Sequence, residues 1–154
     1  MTDLTSLVLA TKLFRGLTAE DLDPIAHKFE LVRFGPDEQV VREGKVSDAL
    51  FVVIDGEFKV VLPEEENPDR MTDVELTTLQ SGSCFGEFSL FHSEPASASV
   101  IATRPSDVVR IRKADFFALV NSDRVGKKVF HNLIHLLVDK IRRTDRECDL
   151  LLGS

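Results

Sequence analysis

Hydrophobic residues change their spacing twice along the chain, and the changes divide it into three parts. In the first part, apolar residues such as Leu4, Leu7 and Val8 recur at intervals of three and four, which is the period of a helix. In the middle part, the apolar runs are short and are closed by glycine, proline and aspartate, as antiparallel strands are. Helical spacing then returns. The pattern predicts N-terminal helices over 1–30, strands over 31–112 and C-terminal helices over 113–154.

The N-terminal part contains a stop signal for a first helix and a start signal for a second. Gly16 is predicted to end the first, because glycine readily adopts the left-handed conformation that often follows a helix. Thr18 offers the hydroxyl of an N-cap, and carboxylates follow it at Glu20 and Asp21 in the first turn. The apolar stripe behind them consists of Leu22, Ile25, Ala26 and Phe29.

The middle part contains seven strand-like runs. They cover 31–34, 39–42, 50–54, 57–62, 73–79, 97–102 and 108–112. Runs this short and this regularly punctuated indicate a small antiparallel barrel or sandwich. Asp55 and Gly56, between two apolar runs, predict a hairpin. Residues 63–71 are polar, carry two prolines and predict an exposed loop. Its acidic run is interpreted as a solvated loop tip, with a docking patch as the alternative.

The C-terminal part predicts a short helix and then a long one. The short helix carries Phe116, Phe117 and Val120, and Asn121 with Ser122 breaks it. The long helix is expected from about Arg124 to Leu151. Its a/d seam of nearly three heptads is formed by Ile134, Leu137, Ile141, Thr144, Cys148 and Leu151. The first half is expected to pack on the domain and the second to pair with the same helix of a second copy. The alternative is that the whole face packs within the chain.

Composition narrows the class of protein. A chain of 154 residues fits one domain. A net charge of −7 is a poor basis for non-specific binding to nucleic acid or anionic lipid. Two cysteines are too few for a disulfide framework, which favours a reducing compartment. With no signal peptide or membrane-spanning stretch in the sequence, a cytoplasmic protein with no membrane partner is expected.

The chemically informative segment is 82–100, a glycine-led turn followed by a short helical piece and a serine- and alanine-rich strand. Gly86 would let backbone approach a ligand, and N–H groups at the start of a helix there would face an anion. Glu87 could accept a hydrogen bond from a sugar hydroxyl. Ser97 and Ser99 add small hydroxyls nearby.

This segment resembles the phosphate-binding cassette of the cyclic-nucleotide-binding domain family, the family of catabolite activator protein and of the regulatory subunit of cyclic-AMP-dependent protein kinase. Phe85, Gly86 and Glu87, with Pro95 and the small-residue strand at the expected distance, carry the resemblance, which covers nearly the whole chain. It implies an α+β fold: an eight-stranded antiparallel β-barrel of jelly-roll type (a double-stranded β-helix), with N-terminal helices and a long C-terminal helix.

The resemblance also implies a ligand site and exposes a departure from it. In the family, the glutamate at position 87 binds the ribose 2′-hydroxyl, and backbone amides near Phe88 and Ser89 bind the phosphate. An arginine after the cassette proline pairs with the phosphate, but this chain has Ala96 there. The candidate binding residues are Phe85, Gly86, Glu87, Phe88, Ser89, Ala96, Ser97, Ala98 and Ser99. His92, or a basic residue from another segment or subunit, could replace the arginine.

The sequence indicates metal binding, redox activity and catalysis less strongly. His131, His135 and Asp139 have the i, i+4, i+8 spacing that can hold a metal, but a polar surface stripe is the interpretation adopted. Cys84 is interpreted as a small buried thiol, with redox activity as the alternative. No nucleophile elbow or orienting acid is present, so no catalytic residue and no metal ligand are assigned.

The sequence therefore leads to a hypothesis of a single-domain, non-enzymatic regulatory or adaptor module with a degenerate cassette. Such a module would act through contacts with a protein partner and bind cyclic nucleotide weakly or not at all. The alternative is a true sensor of cyclic AMP or cyclic GMP with an atypical phosphate contact. No helix-turn-helix segment follows the long helix in the sequence, so DNA is not an expected partner.

Overall fold

The computed structural model of the chain describes residues 4–86, Leu90 and 94–152, with side chains as far as Arg142. In this part of the chain the helices are α1 (Leu4–Leu9), α2 (Ala19–Ala26), α3 (Lys113–Val120) and α4 (Asp123–Leu152), with a 3₁₀ turn at Glu64–Glu66. The strands are β1 (Glu30–Phe34), β2 (Gln39–Val41), β3 (Ala49–Asp55), β4 (Glu57–Leu62), β5 (Val74–Gln80), β6 (Cys84–Phe85), β7 (Ser99–Ala102) and β8 (Ser106–Arg112).

The strands form two four-stranded antiparallel sheets, in the orders β1-β8-β3-β6 and β2-β7-β4-β5. The antiparallel arrangement expected from the sequence is confirmed. The expected closed barrel is confirmed only in part, because hydrogen-bonded pairing between described residues does not join the two sheets into one ladder. The edge strands β2 and β6 have only three and two residues. Short edge strands leave few backbone groups that could pair with the other sheet.

Strand β3 forms the middle of the fold because both of its faces are buried. Leu50 and Val52 point into a core shared with the four helices, while Phe51 and Val53 point into the space between the two sheets. Alternate side chains of a strand lie on opposite faces, so a strand covered on both faces is apolar at consecutive positions. The molecule thus has three layers: helices, the first sheet and the second sheet.

The prediction of a hairpin at Asp55 and Gly56 is wrong. Strands β3 and β4 flank this pair but belong to different sheets, so the chain crosses from one sheet to the other. Gly56 has φ +119°, and a Cβ on it would lie 2.0 Å from the Oγ of Ser106. The local Asp-Gly signal identified a sharp turn correctly, but long-range burial of β3 decided which strands pair.

The predicted helices are found with one shift of a boundary. Helix α1 ends at Leu9, not at Gly16, and residues 10–16 form turns between α1 and α2. The buried hydroxyl of Thr11 donates to the carbonyl of Val8 at 2.6 Å, which satisfies an acceptor at the helix end. Helices α3 and α4 match the predicted short and long helices.

Helix α4 is tied to the N-terminal segment by a row of polar side chains one turn apart. Arg124 pairs with Asp21, Lys128 Nζ donates to the carbonyl of Gly16 at 2.9 Å, and Asn132 Nδ2 donates to the carbonyl of Leu13 at 2.9 Å. Lys128 and Asn132 thus satisfy carbonyls in the turns before α2. The first turns of α4 are therefore held against the N-terminal segment.

The capping box of α2 gives a pH-dependent prediction. The backbone N–H of Thr18 donates to Asp21 Oδ2 at 2.9 Å, and the N–H of Asp21 donates to Thr18 Oγ1 at 3.3 Å. The hydrogen bond from Thr18, followed by the interaction with Arg124, holds the pKa of Asp21 below its ordinary value of 3.8. Asp21→Asn is expected to lower the free energy of unfolding by about 1–2 kcal/mol at neutral pH.

The sign of the pH effect follows from the lowered pKa. The contribution of ionised Asp21 is fully present above its ordinary pKa and is lost as the pH falls through the lowered folded value. Urea unfolding of both proteins at a series of pH values measures it. The difference between wild type and Asp21→Asn should be constant near neutrality and shrink below about pH 4. A difference that grows in acid would contradict this account of the cap.

Candidate functional site

The cassette begins at the short strand β6, which is anchored on β3. The N–H of Gly82 donates to the carbonyl of Val53 at 2.8 Å, and the N–H of Val53 donates to the carbonyl of Ser83 at the same distance. Phe85 stacks on Phe51 with ring centroids 5.0 Å apart. This eighth strand was not among the seven predicted from the sequence. Two residues are too few to show an alternating pattern.

Gly86 is fixed by two independent constraints. Its φ is +91°, a left-handed conformation in which a side chain is strained. A Cβ at this position would also lie 2.6 Å from the backbone oxygen of Ala49 in β3. The carbonyl of Gly86 accepts from the N–H of Leu90 at 3.3 Å, and Leu90 is helical and buried. Gly86 thus turns the chain from β6 into a helical piece, as the sequence predicts.

The far end of the cassette is held at Ala96. Its N–H donates to the carbonyl of Lys45 at 2.8 Å, and its carbonyl accepts from the N–H of Gly44 at 2.9 Å. Gly44 and Lys45 therefore both lie opposite Ala96, as in a β-bulge whose first residue is glycine. The Ala96 side chain is half-buried and packs against the core between the sheets. This is the position where the family has arginine.

Ser99 has a fully buried hydroxyl that is engaged by protein groups. Its Oγ accepts from the N–H of Glu43 at 2.9 Å and from Nε2 of Gln39 at 3.0 Å. These bonds tie the first residue of β7 to the turn after β2. Ser97 is exposed and Ala98 is half-buried. The hydroxyl of Ser99 therefore holds the cassette to its neighbour, which its place in the sequence does not reveal.

The loop between β4 and β5 is pinned beside the cassette. Arg70 forms a bidentate ion pair with Glu43, at 2.6 and 2.9 Å, and Nη1 of Arg70 also donates to the carbonyl of Pro63 at 3.0 Å. The hydrogen bond from Arg70 holds the pKa of Glu43 below its ordinary range. A second ion pair joins Arg42 to Glu66 at 2.8 Å. The predicted loop is present, but part of its acidic run is paired and not freely solvated.

The predicted ligand-binding residues divide into two groups. Phe85, Gly86, Ala96, Ser97, Ala98 and Ser99 are described, and they lie at the two ends of the cassette. The residues between those ends to which the resemblance gave direct ligand contacts, Glu87, Phe88 and Ser89, lie outside the described residues, as does His92. The structure therefore fixes the frame of the cassette and the surroundings of Ala96.

Ala96 replaces the arginine that the resemblance implies, so a phosphate bound here would need a cation from elsewhere in the chain. Arg104, the nearest arginine along the sequence, follows the opposite end of β7. Arg70 is committed to Glu43. Lys45 lies directly across from Ala96 through its backbone, and its side chain is exposed. Within the described ranges, Lys45 is thus the cation that the backbone brings to Ala96, a position that its sequence neighbours do not indicate.

Helix α4 reaches the start of the cassette. Nζ of Lys140 donates to the carbonyl of Cys84 at 2.7 Å. Cys84 is 1% exposed and belongs to the core between the first sheet and the helices. The predicted buried thiol is confirmed. The contact joins the long helix to the strand that leads into Gly86.

The three-residue metal site considered on α4 does not form as a cluster. The rings of His131 and His135 are 4.5 Å apart. Among the described side chains, however, no set of three histidine, cysteine or carboxylate groups lies close enough together to hold an ion, so His131, His135 and Asp139 do not form a three-ligand site. Within the same part of the chain, no helix has the length and apolar character needed to cross a membrane.

Comparison with known proteins places the fold. The sequence profile described as "Cyclic nucleotide-binding domain" matches residues 31–123. The cyclic AMP receptor protein of Thermus thermophilus is 30% identical over 139 residues, covering 90% of this chain and 61% of that protein. The cAMP-dependent protein kinase regulatory subunit of Mucor circinelloides is 29% identical over 142 residues, covering 92% and 29%. The crystal structure of a cyclic nucleotide-binding domain from Methylobacillus flagellatus has a TM-score of 0.80 at 25% identity, covering 99% and 84%.

The described residues form two facing four-stranded antiparallel sheets packed with helices, and the cassette follows strand β6. With the match over 31–123, the chain belongs to the cyclic nucleotide-binding domain family. The resemblance noted at Phe85, Gly86 and Glu87 is thereby confirmed. The chain spans 61% of the length of the Thermus relative and 29% of the Mucor relative. It therefore corresponds to part of each of those proteins.

Proposed function

We propose that the chain is a non-enzymatic regulatory module whose cassette binds cyclic nucleotides weakly or not at all. The observation that carries the proposal is Ala96, which stands at the arginine position with its methyl group packed on the inter-sheet core. Arg70 is held by Glu43, and the side chain of Lys45 is exposed to solvent. An unpartnered phosphate in such a site costs about 3–5 kcal/mol.

The alternative, a true sensor of cyclic AMP or cyclic GMP, would require one of these cations to replace the arginine. The described contacts do not favour it, because Arg70 would have to leave a bidentate ion pair. A calorimetric titration with both nucleotides separates the two functions. Micromolar binding supports the sensor, whereas the absence of heat at millimolar ligand supports the proposal.

The surface through which the module acts is proposed to be α4. Val125, Val129 and Leu133 are buried against the domain, whereas apolar residues on the neighbouring face are partly or largely exposed. Its exposed apolar residues are Phe130 (37%), Ile134 (61%), Val138 (38%) and Ile141 (60%). Contiguous exposed apolar residues mark interaction surfaces. We refer to these four residues as the α4 stripe.

A second copy of the chain is the proposed occupant of the α4 stripe. Its residues recur in steps of three and four, which is the spacing of helices that pair along a common seam. In the sequence the predicted seam continues through Thr144, Cys148 and Leu151, whose side chains lie outside the described residues. A two-fold axis beside the helix would place each stripe on its own counterpart. The module is therefore proposed to be a homodimer whose helix pair also presents a surface to a protein partner.

The dimer is tested by placing a charge in the stripe. Ile134→Glu is expected to convert the dimer to a monomer, because a carboxylate would be buried without a partner in an apolar seam. Sedimentation velocity measures the mass. Val46→Glu is the matched control, since Val46 is equally exposed at 60% but lies in the turn after β2. A wild type that sediments as a monomer, or an unchanged Ile134→Glu dimer, would contradict the proposed seam.

The adaptor role needs a separate test. Wild type and Val46→Glu are used as baits in a native lysate, alongside Ile134→Glu. A partner retained by the first two and lost by the third would support signalling through α4. If all three baits recover only the chain itself, the part of the proposal that concerns a second protein fails, while the dimer stands or falls on its sedimentation.

A further inference from the structure

Two histidines on α4 lie next to the α4 stripe and remain unexplained by the proposed function. His131 and His135 are one helical turn apart, both are exposed, and their rings meet edge to face with centroids 4.5 Å apart. Among the described residues, neither imidazole forms a hydrogen bond or an ion pair. Both rings therefore keep their nitrogens available.

The separation suits chelation of one ion. A zinc or similar ion binds imidazole nitrogen at about 2.0–2.1 Å, so two such ligands on one ion have nitrogens about 3 Å apart. The rings meet edge to face with centroids 4.5 Å apart, so the imidazoles would rotate about their side-chain bonds to bring one nitrogen from each onto the ion. The helix backbone fixes the spacing of the two residues at one turn. The remaining coordination positions would be taken by water, because the site faces solvent.

We propose that His131 and His135 form a two-histidine site for a divalent transition-metal ion of the zinc, nickel or copper type. Imidazole selects these ions over magnesium and calcium, which prefer oxygen ligands. The bound ion would add positive charge beside Ile134, at the margin of the α4 stripe. The site rests on the geometry of one helix, so it stands whether or not the dimer forms.

Calorimetric titration of the full chain with nickel chloride tests the site, with magnesium chloride as the control ion. The wild type is expected to bind one nickel ion per chain with micromolar affinity and no magnesium. His131→Ala and His135→Ala should each weaken nickel binding at least tenfold, and the double variant should be no weaker than either one, because a chelate needs both ligands. Helical circular dichroism verifies that each variant is folded.

His27→Ala is the matched control. It removes an exposed histidine at the end of α2, far from the pair in sequence. Nickel affinity unchanged in this variant and reduced in both α4 variants supports the site. The proposal is overturned if the wild type shows no saturable nickel binding up to millimolar concentration. It is also overturned if nickel binds both α4 variants as tightly as the wild type, since thiols or other groups would then be the ligands.

Discussion

Ala96→Arg is expected to raise the affinity for cyclic AMP by about a hundredfold to several thousandfold. The basis is the cost of leaving a buried phosphate without its cation, about 3–5 kcal/mol, at 1.4 kcal/mol for each factor of ten. The backbone of residue 96 is already held by two hydrogen bonds to Gly44 and Lys45. Calorimetric titration of both proteins with cyclic AMP measures the change.

Two variants separate charge from size at this position. Ala96→Gln adds a long polar side chain without charge and should leave the affinity near that of the wild type. Lys45→Ala in the Ala96→Arg background should have little effect if the exposed lysine does not contact the phosphate. Equal affinities for Ala96→Arg and the wild type, in a folded protein, would show that the missing arginine is not what weakens the cassette.

Gly86→Ala is expected to destabilise the protein by about 2–5 kcal/mol. A left-handed conformation costs a non-glycine residue about 1–2 kcal/mol, and forcing atoms into a packed region adds about 1–3 kcal/mol. The second contribution applies because the new Cβ would lie 2.6 Å from the Ala49 oxygen. Strand β3 would have to move away from the start of the cassette. Chemical denaturation gives the free energies of unfolding.

Gly82→Ala provides the matched control for the backbone contribution. Gly82 has the same φ of +91° as Gly86, but a Cβ on it would have no atom within 4 Å. Gly82→Ala should therefore lose only the free energy of unfolding that comes from the left-handed backbone conformation. The difference in free energy of unfolding between the two variants isolates the contact with Ala49. If both variants lose the same free energy, the close approach of β3 to the cassette contributes nothing to stability.

The sequence predicts local features of this fold well where one pattern decides them. The capping residues Thr18 and Asp21 and the bounds of the two C-terminal helices follow from side-chain chemistry and helical period. The prediction of a hairpin at Asp55 and Gly56 is wrong because the sheet that each flanking strand joins depends on the burial of β3 by elements distant in the chain. A period of two residues identifies a strand but does not identify its neighbours.

In the candidate site too, the sequence predicts features of consecutive residues but not contacts between distant ones. The cassette could be found from Phe85, Gly86 and Pro95 because its residues are consecutive in the sequence. The pair between Arg70 and Glu43 could not, because it joins positions 27 residues apart. Likewise, the pairing of Lys45 with Ala96 depends on a bulge that forms only when β7 lies beside the turn after β2. Such contacts arise from tertiary structure and leave no periodic signal.

Helix α4 and the cassette are linked through the Lys140 contact. Nζ of Lys140 donates to the carbonyl of Cys84, which lies in β6 two residues before Gly86. A ligand that changed the cassette would shift α4 only to the extent that it bound the two positions of the helix with different affinities. A cassette without its arginine has little such affinity to use. The surface of α4 is accordingly expected to be controlled by its protein contacts.

Calorimetric titration of the purified wild-type chain with cyclic AMP and cyclic GMP, carried to millimolar ligand, tests whether the cassette binds cyclic nucleotides. We expect no saturable heat below the millimolar range for either nucleotide, and no shift in the melting temperature at the same concentrations. Saturable binding in the micromolar range would contradict this expectation. That result would make the chain a nucleotide sensor and would require a cation to replace the arginine missing at Ala96.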